Sequence, residues 1–198
     1  YNENYQFNLK LDSNFKLLKY FDRNPYYGNA KYYFKTLGTW LPSVYEDKRG
    51  KVWFRSSNGL SLINNNRYFF YYVGDYDPAI PGGIFMIRED NKGNLVLASE
   101  QGLYKILLND TKITKILRFT DLNGLTGKKV FSIEFTKDGH LMAGTSRGLN
   151  KIMNFDTITV MQHLNINYYS LKDGLSTTDF MSNSSFIDDD GTIWFGTS

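Results

Sequence analysis

The sequence contains no cysteine and only two histidines among its 198 residues. The absence of cysteine excludes disulfide bonds, thiol catalysis and cysteine metal sites. Around His140 and His163 we find no arrangement of acidic or nucleophilic residues that is typical of acid–base or nucleophilic catalysis. We therefore predict no catalytic residue, no metal site and no cofactor in this chain.

Proline is scarce, with 4 residues, whereas 15 tyrosines and 15 phenylalanines bring the aromatic fraction to 17%. This balance favours β-strands over helices or disorder. The longest apolar run, from Tyr68 to Val73, is far shorter than the ~20 residues that a membrane helix requires. A net charge of +3, with scattered basic residues, gives no reason to expect nucleic acid or an anionic membrane as partner. We expect this chain to contact neither.

One glycine-centred motif recurs four times, at Gly50, Gly93, Gly139 and Gly191. Each of the first three glycines is followed, at a constant offset, by a Gly-Leu pair; these pairs begin at Gly59, Gly102 and Gly148. The segments between the motifs vary in length. A constant core with variable connections is the signature of a repeat protein.

The first repeat predicts four antiparallel strands joined in sequence. Gly50 closes a turn, and Asn58-Gly59 is a strong hairpin signal. The fourth strand, Arg67 to Val73, is apolar on both faces, so the sheet must be covered by neighbours on both sides. Radial stacking of such sheets, as the blades of a β-propeller, meets this requirement.

The segments Tyr5–Leu11 and Phe15–Phe21 resemble the third and fourth strands of a blade, Leu103–Leu108 and Ile113–Phe119. We therefore predict an all-β chain, a β-propeller fragment with three whole blades and two half blades. Its predicted units are 1–41 (the end of a preceding blade and a linker), three blades at 42–83, 84–129 and 130–181, and half a blade at 182–198.

The two half blades are complementary. We expect the fragment to dimerise, to aggregate, or to join its halves into one blade. In the last case Phe15–Phe21 would flank the strand that pairs with Thr192–Thr197. The expected partners are thus the remaining blades of the same propeller or a second chain.

The repeat looks like the regulator-propeller repeat, which occurs in the periplasmic sensor regions of hybrid two-component histidine kinases of Bacteroidetes. The carriers of this resemblance are Asp47-x-x-Gly50-x-x-Trp53 with Gly59-Leu60, Asp188 to Thr197, and the Gly-Leu pairs at Gly124 and Gly174. The resemblance covers residues 42 to 198 and extends more weakly to residues 5 to 21. Val96 and Met142 depart from it, because they replace the tryptophan.

The resemblance implies a parent protein with two seven-bladed propellers in the periplasm, a β-sandwich module, a membrane helix and a cytoplasmic histidine kinase. It implies a homodimer in the full-length receptor. It also implies an oligosaccharide ligand and an output in the transcription of polysaccharide-use genes. The segment itself would bind a ligand and catalyse nothing.

The topology indicates where a ligand would bind. In a four-stranded meander, the turn between the second and third strands lies at the same end of the sheet as the link to the next blade. Binding residues concentrate on loops held by a rigid scaffold. At this end Asp75-Tyr76-Asp77 combines an aromatic platform with two acceptors for a sugar, and Arg55, Lys128 and Arg147 could hold an acidic group.

Two motifs have a plainer interpretation than ligand binding. Trp53 and Trp194 occupy the same place in two repeats, so we expect them to fill the space between sheets rather than to stack on sugars. The run Asp188–Gly191 is expected to be a turn rather than a calcium loop. Two other functions stay open: a propeller-type enzyme such as a lyase, and a scaffold that binds protein.

Overall fold

The computed structural model describes residues 8–11, 17–21, 43–56, 59–65, 67–81 and 83–198. In these ranges every regular element is a β-strand or a short 3-10 turn. The strands are β1 (Asn8–Leu11), β2 (Leu17–Phe21), β3 (Val44–Glu46), β4 (Val52–Ser56), β5 (Gly59–Asn64), β6 (Arg67–Tyr72), β7 (Ile84–Glu89), β8 (Leu95–Ser99), β9 (Gly102–Asn109), β10 (Lys112–Phe119), β11 (Val130–Phe135), β12 (Leu141–Thr145), β13 (Gly148–Ile152), β14 (Ile166–Tyr169), β15 (Phe180–Ile187) and β16 (Ile193–Thr197).

The strands form three four-stranded antiparallel sheets and two separate strand pairs. In each of them, strands that are consecutive in the sequence lie next to each other. The first sheet is β3–β6, the second β7–β10 and the third β11–β14, while β1–β2 and β15–β16 are separate pairs. The predicted all-β fold, with three whole blades and two half blades, is confirmed. The half blades form separate sheets among the described residues, so the pairing of the two halves within one molecule, one of the three expected outcomes, is not found there.

In three of the four repeats one aspartate holds the first turn, and in the third repeat Thr136 takes its place, since its hydroxyl accepts from the His140 amide at 3.0 Å. In the first sheet the Asp47 carboxylate accepts hydrogen bonds from the Lys51 amide at 2.9 Å and from the Trp53 indole at 3.1 Å. Gly50 closes the turn with φ +74°, in the left-handed region that favours glycine. The spacing Asp-x-x-Gly-x-x-Trp therefore follows from geometry, because one carboxylate binds both the turn and the ring of the next strand.

The other repeats vary this arrangement in a consistent way. Asp188 holds the indole of Trp194 at 3.0 Å, as in the first sheet. Val96 replaces the tryptophan in the second sheet, and the Asp90 carboxylate there pairs with the Lys105 ammonium at 2.9 Å instead. Both side chains of this ion pair are fully buried. The partner of the aspartate thus changes together with the residue at the tryptophan position.

Two apolar clusters fill the spaces between the three sheets. Trp53 is completely buried between the first and second sheets and stacks on Tyr71, which confirms its predicted core position. Trp194 has the same repeat position but is 60% exposed, so the prediction that it packs between sheets is wrong for this structure. The reason is that, among the described residues, no further sheet covers this face of β15–β16.

The first strands of the sheets meet at the centre of the stack, where β7 contacts β3, β11 and β15. Arg88 on β7 donates two hydrogen bonds to the Glu134 carboxylate on β11, at 2.9 and 2.7 Å. It also reaches the Ser185 carbonyl on β15 at 3.4 Å and lies 5.9 Å from the ring centre of Tyr45 on β3. One arginine therefore links all four repeats; we call the residues Tyr45, Arg88, Glu134 and Ser185 the polar hub.

Candidate ligand-binding face

The turn between the second and third strands and the link between sheets do meet at one end of the stack. The Glu100 amide bonds the Gly83 carbonyl, and the Ser146 amide bonds the Lys129 carbonyl, both at 3.1 Å. Each bond joins the turn of one sheet to the link that enters the same sheet. We call this end the loop face, and all six predicted ligand-binding residues lie at it or next to it.

Arg55 lies at the rim between the first and second sheets. Sequence reasoning placed it at the end of an extended segment, where the turn begins, and the structure places it in strand β4. Because side chains alternate along a strand, Arg55 projects from the same face as Trp53, towards the second sheet. Its side chain is half-buried. Strand placement gives the guanidinium a more restricted position than a loop would.

Arg55 is an exception within the repeat. The equivalent positions, five residues after each turn glycine, carry Ala98, Gly144 and Gly196. At Gly144 the absence of a side chain is needed, since an added Cβ would lie 2.8 Å from the ring of Phe180 on the next first strand. Arg55 therefore places a long cationic side chain where the other repeats have alanine or glycine, so the rim between the first and second sheets differs from the other rims.

The link next to Arg55 is exceptional as well. The links after the second and third sheets each contain a 3-10 turn, Asp121–Asn123 or Leu171–Asp173, with a capping box and a left-handed glycine at its end. The link after the first sheet has a 3-10 turn at Val73–Asp75 without this Gly-Leu ending. It is anchored by the buried Ile80 instead.

This first link presents Asp75, Tyr76 and Asp77. Both aspartates are exposed, whereas Tyr76 is half-buried and packs against the same apolar cluster as Trp53 and Ile80. Burial raises the pKa of the Tyr76 hydroxyl, and the nearby Asp75 carboxylate raises it further. The phenol therefore keeps its proton at neutral pH and offers a donor beside two acceptors. Together with Arg55 these residues form what we call the first rim.

Lys128 and Arg147 lie at a second rim, between the second and third sheets. Gly127 packs against Ser146, and Lys129 bonds the Ser146 amide, so both neighbours of Lys128 contact the turn that contains Arg147. Both cationic groups are exposed, and neither has an ion-pair or hydrogen-bond partner among the described residues.

Two further groups at the loop face were missed by sequence reasoning. Lys129 and Glu100 form an exposed ion pair at 3.8 Å across the second rim. Arg118 stacks over Tyr104, with 5.7 Å to the ring centre, and donates to the Gln101 carbonyl at 3.3 Å. The alternation of side-chain directions along β10 could have indicated the face on which Arg118 lies. Nothing in the sequence indicates the pairing of Glu100 with Lys129.

Metal binding finds no support in the part of the chain that the structure describes, where no group of three or more histidine, aspartate or glutamate side chains could hold an ion. The Asp188–Gly191 segment is a turn, in which the Gly191 amide bonds the Asp188 carbonyl at 3.0 Å. Within the described ranges, no helix is long and apolar enough to cross a membrane.

No protein-family model matches this sequence, and no curated protein matches it either. Several solved structures are similar in fold. The extracellular domain of a hybrid two-component system from B. thetaiotaomicron has a TM-score of 0.63 and 20% identity; the match covers 82% of this chain and 21% of that chain.

Two other similar structures have different functions. PorZ, a surface component of the type-IX secretion system of Porphyromonas gingivalis, has a TM-score of 0.63 and 12% identity, with 93% of this chain and 28% of that chain covered. Virginiamycin B lyase from Staphylococcus aureus has a TM-score of 0.55 and 14% identity, with 79% and 48% covered.

These similarities establish the fold. The chain spans between about a fifth and a half of the length of the structures that it matches. A sensor domain, a secretion component and a lyase share the same arrangement of sheets, so the fold alone does not select among their functions.

Proposed function

We propose that this chain is a ligand-sensing segment of a periplasmic β-propeller and that its loop face binds an oligosaccharide. The units 42–83, 84–129 and 130–181 would be blades of that propeller, between the partial units 1–41 and 182–198. The parent protein would be a two-component sensor histidine kinase, active as a homodimer, that controls polysaccharide-use genes. This segment would transmit binding and perform no chemistry.

The observation that carries the proposal is the departure from the repeat at the first rim. Residues that recur in every repeat serve the stacking of the sheets. At the first rim, one strand position and the adjoining link both depart from the repeat. Arg55 replaces alanine or glycine, and the adjoining link brings Tyr76 with two exposed carboxylates. An aromatic face flanked by hydrogen-bonding groups suits a sugar ring, which is apolar on its faces and polar at its edge.

The second rim adds positive charge. The cationic groups of Lys128 and Arg147 have no ion-pair partner among the described residues, so both are available to an acidic group. A glycan with uronic acid units would use both rims, whereas a neutral glycan would use only the first. This difference makes the ligand class testable.

Calorimetric titration of the chain with oligogalacturonides and with cello-oligosaccharides tests the proposal. We expect Arg55→Ala and Tyr76→Ala each to weaken binding at least about tenfold, or ~1.4 kcal/mol. Arg147→Gln should weaken binding of the acidic probe alone. Lys112→Gln, at the opposite end of the second sheet, is the matched control and should change nothing.

The alternatives give different results in the same experiments. A lyase would release products from one of these probes, and a protein-binding scaffold would bind neither of them. Equal effects of Arg55→Ala and Lys112→Gln would place any binding away from the first rim and would refute the proposed site.

A further inference from the structure

Arg118 on β10 and Tyr168 on β14 occupy equivalent positions in the second and third sheets, since each faces the residue two positions after the glycine that begins the third strand. Both side chains hold the neighbouring turn. Arg118 Nε donates to the Gln101 carbonyl at 3.3 Å. The Tyr168 hydroxyl donates to the Arg147 carbonyl. A neutral hydroxyl is thus sufficient for this task, and the fold does not require the positive charge of Arg118.

The terminal nitrogens of Arg118 have no hydrogen-bond or ion-pair partner among the described residues, because its one bond there is made by Nε. The side chain is half-buried and stacks over the ring of Tyr104. Tyr104 is itself buried, and its hydroxyl donates to Gln101 Oε1 at 3.3 Å, which fixes the ring below the guanidinium. The N–H groups of both terminal nitrogens are therefore available to a ligand.

Arg118 faces the same space as Arg55. Tyr104, which lies beneath Arg118, belongs to the apolar cluster between the first and second sheets. Trp53 belongs to this cluster as well, and it lies on the same face of β4 as Arg55. The second sheet thus contributes Arg118 to this space, and the first sheet contributes Arg55. Both guanidinium groups are half-buried, and that of Arg55 also has no partner among the described residues.

The link that carries Tyr76 reaches the turn that Arg118 holds. At the end of this link the Gly83 carbonyl accepts a hydrogen bond from the Glu100 amide at 3.1 Å. Arg118 bonds the carbonyl of the residue that follows Glu100. Arg118 therefore borders the first rim on the side of the second sheet.

Two half-buried cations that face one space favour an anion between them, because their mutual repulsion is weakly screened where water is partly excluded. The carboxylates of Asp75 and Asp77 are exposed on the link, and within the described ranges they form an ion pair with neither arginine. A guanidinium binds a carboxylate through charge-assisted bonds that are frequently bidentate. The first rim thus offers a site for an anionic group of a ligand.

We infer that the first rim selects an acidic sugar, and that Arg118 and Arg55 together bind the carboxylate of one uronic acid unit. Such a unit carries its carboxylate at the edge of the ring, so its apolar face stays available to Tyr76. This inference rests on the proposed function. It adds the class of sugar that the first rim accepts and a residue, Arg118, that determines it.

Calorimetric titration with an oligogalacturonide and with its fully methyl-esterified form tests the inference, because the two probes share the sugar ring and differ in charge. We expect the acidic probe to bind at least about tenfold more tightly. Arg118→Gln should reduce this preference at least about fivefold and leave the affinity for the ester within about twofold. Arg118→Tyr introduces the residue type that holds the turn in the third sheet, and it should have the same effect.

The matched control is Lys115→Gln. Lys115 is another cation of β10, but it bonds the Thr159 carbonyl at 3.3 Å instead of bordering the first rim. This variant should preserve the preference for the acidic probe.

A double-mutant cycle shows whether the two arginines bind the same carboxylate. In the Arg55→Ala background, Arg118→Gln should have an effect on the acidic probe that is at least about threefold smaller.

Several outcomes would overturn the inference while Arg55→Ala and Tyr76→Ala still support the proposed function. These are additive effects in the cycle, an equal loss of both probes in Arg118→Gln, or an equal effect of Lys115→Gln. A response of Arg118→Gln confined to a sulfated galactan oligosaccharide would refute the carboxylate as the bound group. Failure of every probe to bind would refute the proposed function and this inference together.

Discussion

Gly102, at the start of β9, tests how closely the strands of one sheet approach each other. Its φ of +116° is available to glycine but strained for other residues. A Cβ at this position would also press against the carbonyl oxygen of Phe119, on the paired strand β10. The strain costs about 1–3 kcal/mol, and the crowding adds about 1–3 kcal/mol. We therefore expect Gly102→Ala to lower the free energy of unfolding by about 2–6 kcal/mol.

Two other glycines separate the effect of backbone strain from the effect of steric crowding. Gly174 has φ +96°, but no atom lies within 4 Å of an added Cβ, so Gly174→Ala should cost only the backbone strain, about 1–2 kcal/mol. Gly74 has neither a positive φ nor a close atom, so Gly74→Ala should stay within about 0.5 kcal/mol of the parent. Urea unfolding followed by tryptophan fluorescence measures all three variants. If Gly102→Ala were no more destabilising than Gly174→Ala, the close approach to Phe119 would be refuted.

Two further predictions concern buried groups. Burial raises the pKa of the Tyr71 hydroxyl, so the folded state favours the neutral phenol; the resulting stability is complete below pH about 10 and is lost as the pH rises above it. Tyr71→Phe should therefore flatten the alkaline loss of stability in urea titrations at several pH values, and a slope equal to that of the parent would contradict this. Glu134→Gln should cost about 3–5 kcal/mol because it leaves Arg88 partly buried without its counter-ion, and the double variant Arg88→Met with Glu134→Leu should recover most of that loss. Glu100→Gln removes the charge of an exposed ion pair and should change the free energy of unfolding by less than about 1 kcal/mol. If Glu100→Gln and Glu134→Gln had equal effects, burial would not determine the contribution of an ion pair to stability.

The fold was predictable because its determinants are local. The turn at Gly50 needs a glycine and an acceptor three residues earlier, and both are visible in the sequence at constant spacing. The positive φ of all four turn glycines, between +74° and +95°, follows from the same signal. Such features depend on a few neighbouring residues and do not require knowledge of what packs against them.

The exposure of Trp194 was not predictable in this way. Its residue type and position match those of Trp53, but burial depends on whether another sheet lies against it. The polar hub was not predicted from the sequence, for a related reason. Arg88 and Glu134 occupy equivalent positions in successive repeats, and their pairing becomes apparent only when the first strands converge.

The candidate site was predictable only in outline. The topology places the links and turns together, which the bond between Glu100 and Gly83 bears out. The sequence placed Arg55 where the second strand ends and the turn begins, and the structure assigns it to the strand. Which of the six predicted residues contacts a ligand stays a prediction.

The polar hub has a consequence for how such a chain can evolve or be engineered. In an array whose units contact only their neighbours, a unit can be duplicated or deleted and the rest adjusts. Here the first strands of the four repeats carry Tyr45, Arg88, Glu134 and Ser185, and the arginine contacts the other three residues, Ser185 through its carbonyl. Removing the second sheet, or moving it away from the third, would leave the Glu134 carboxylate buried without a cation. The repeats are similar in sequence, but their order is not free to change.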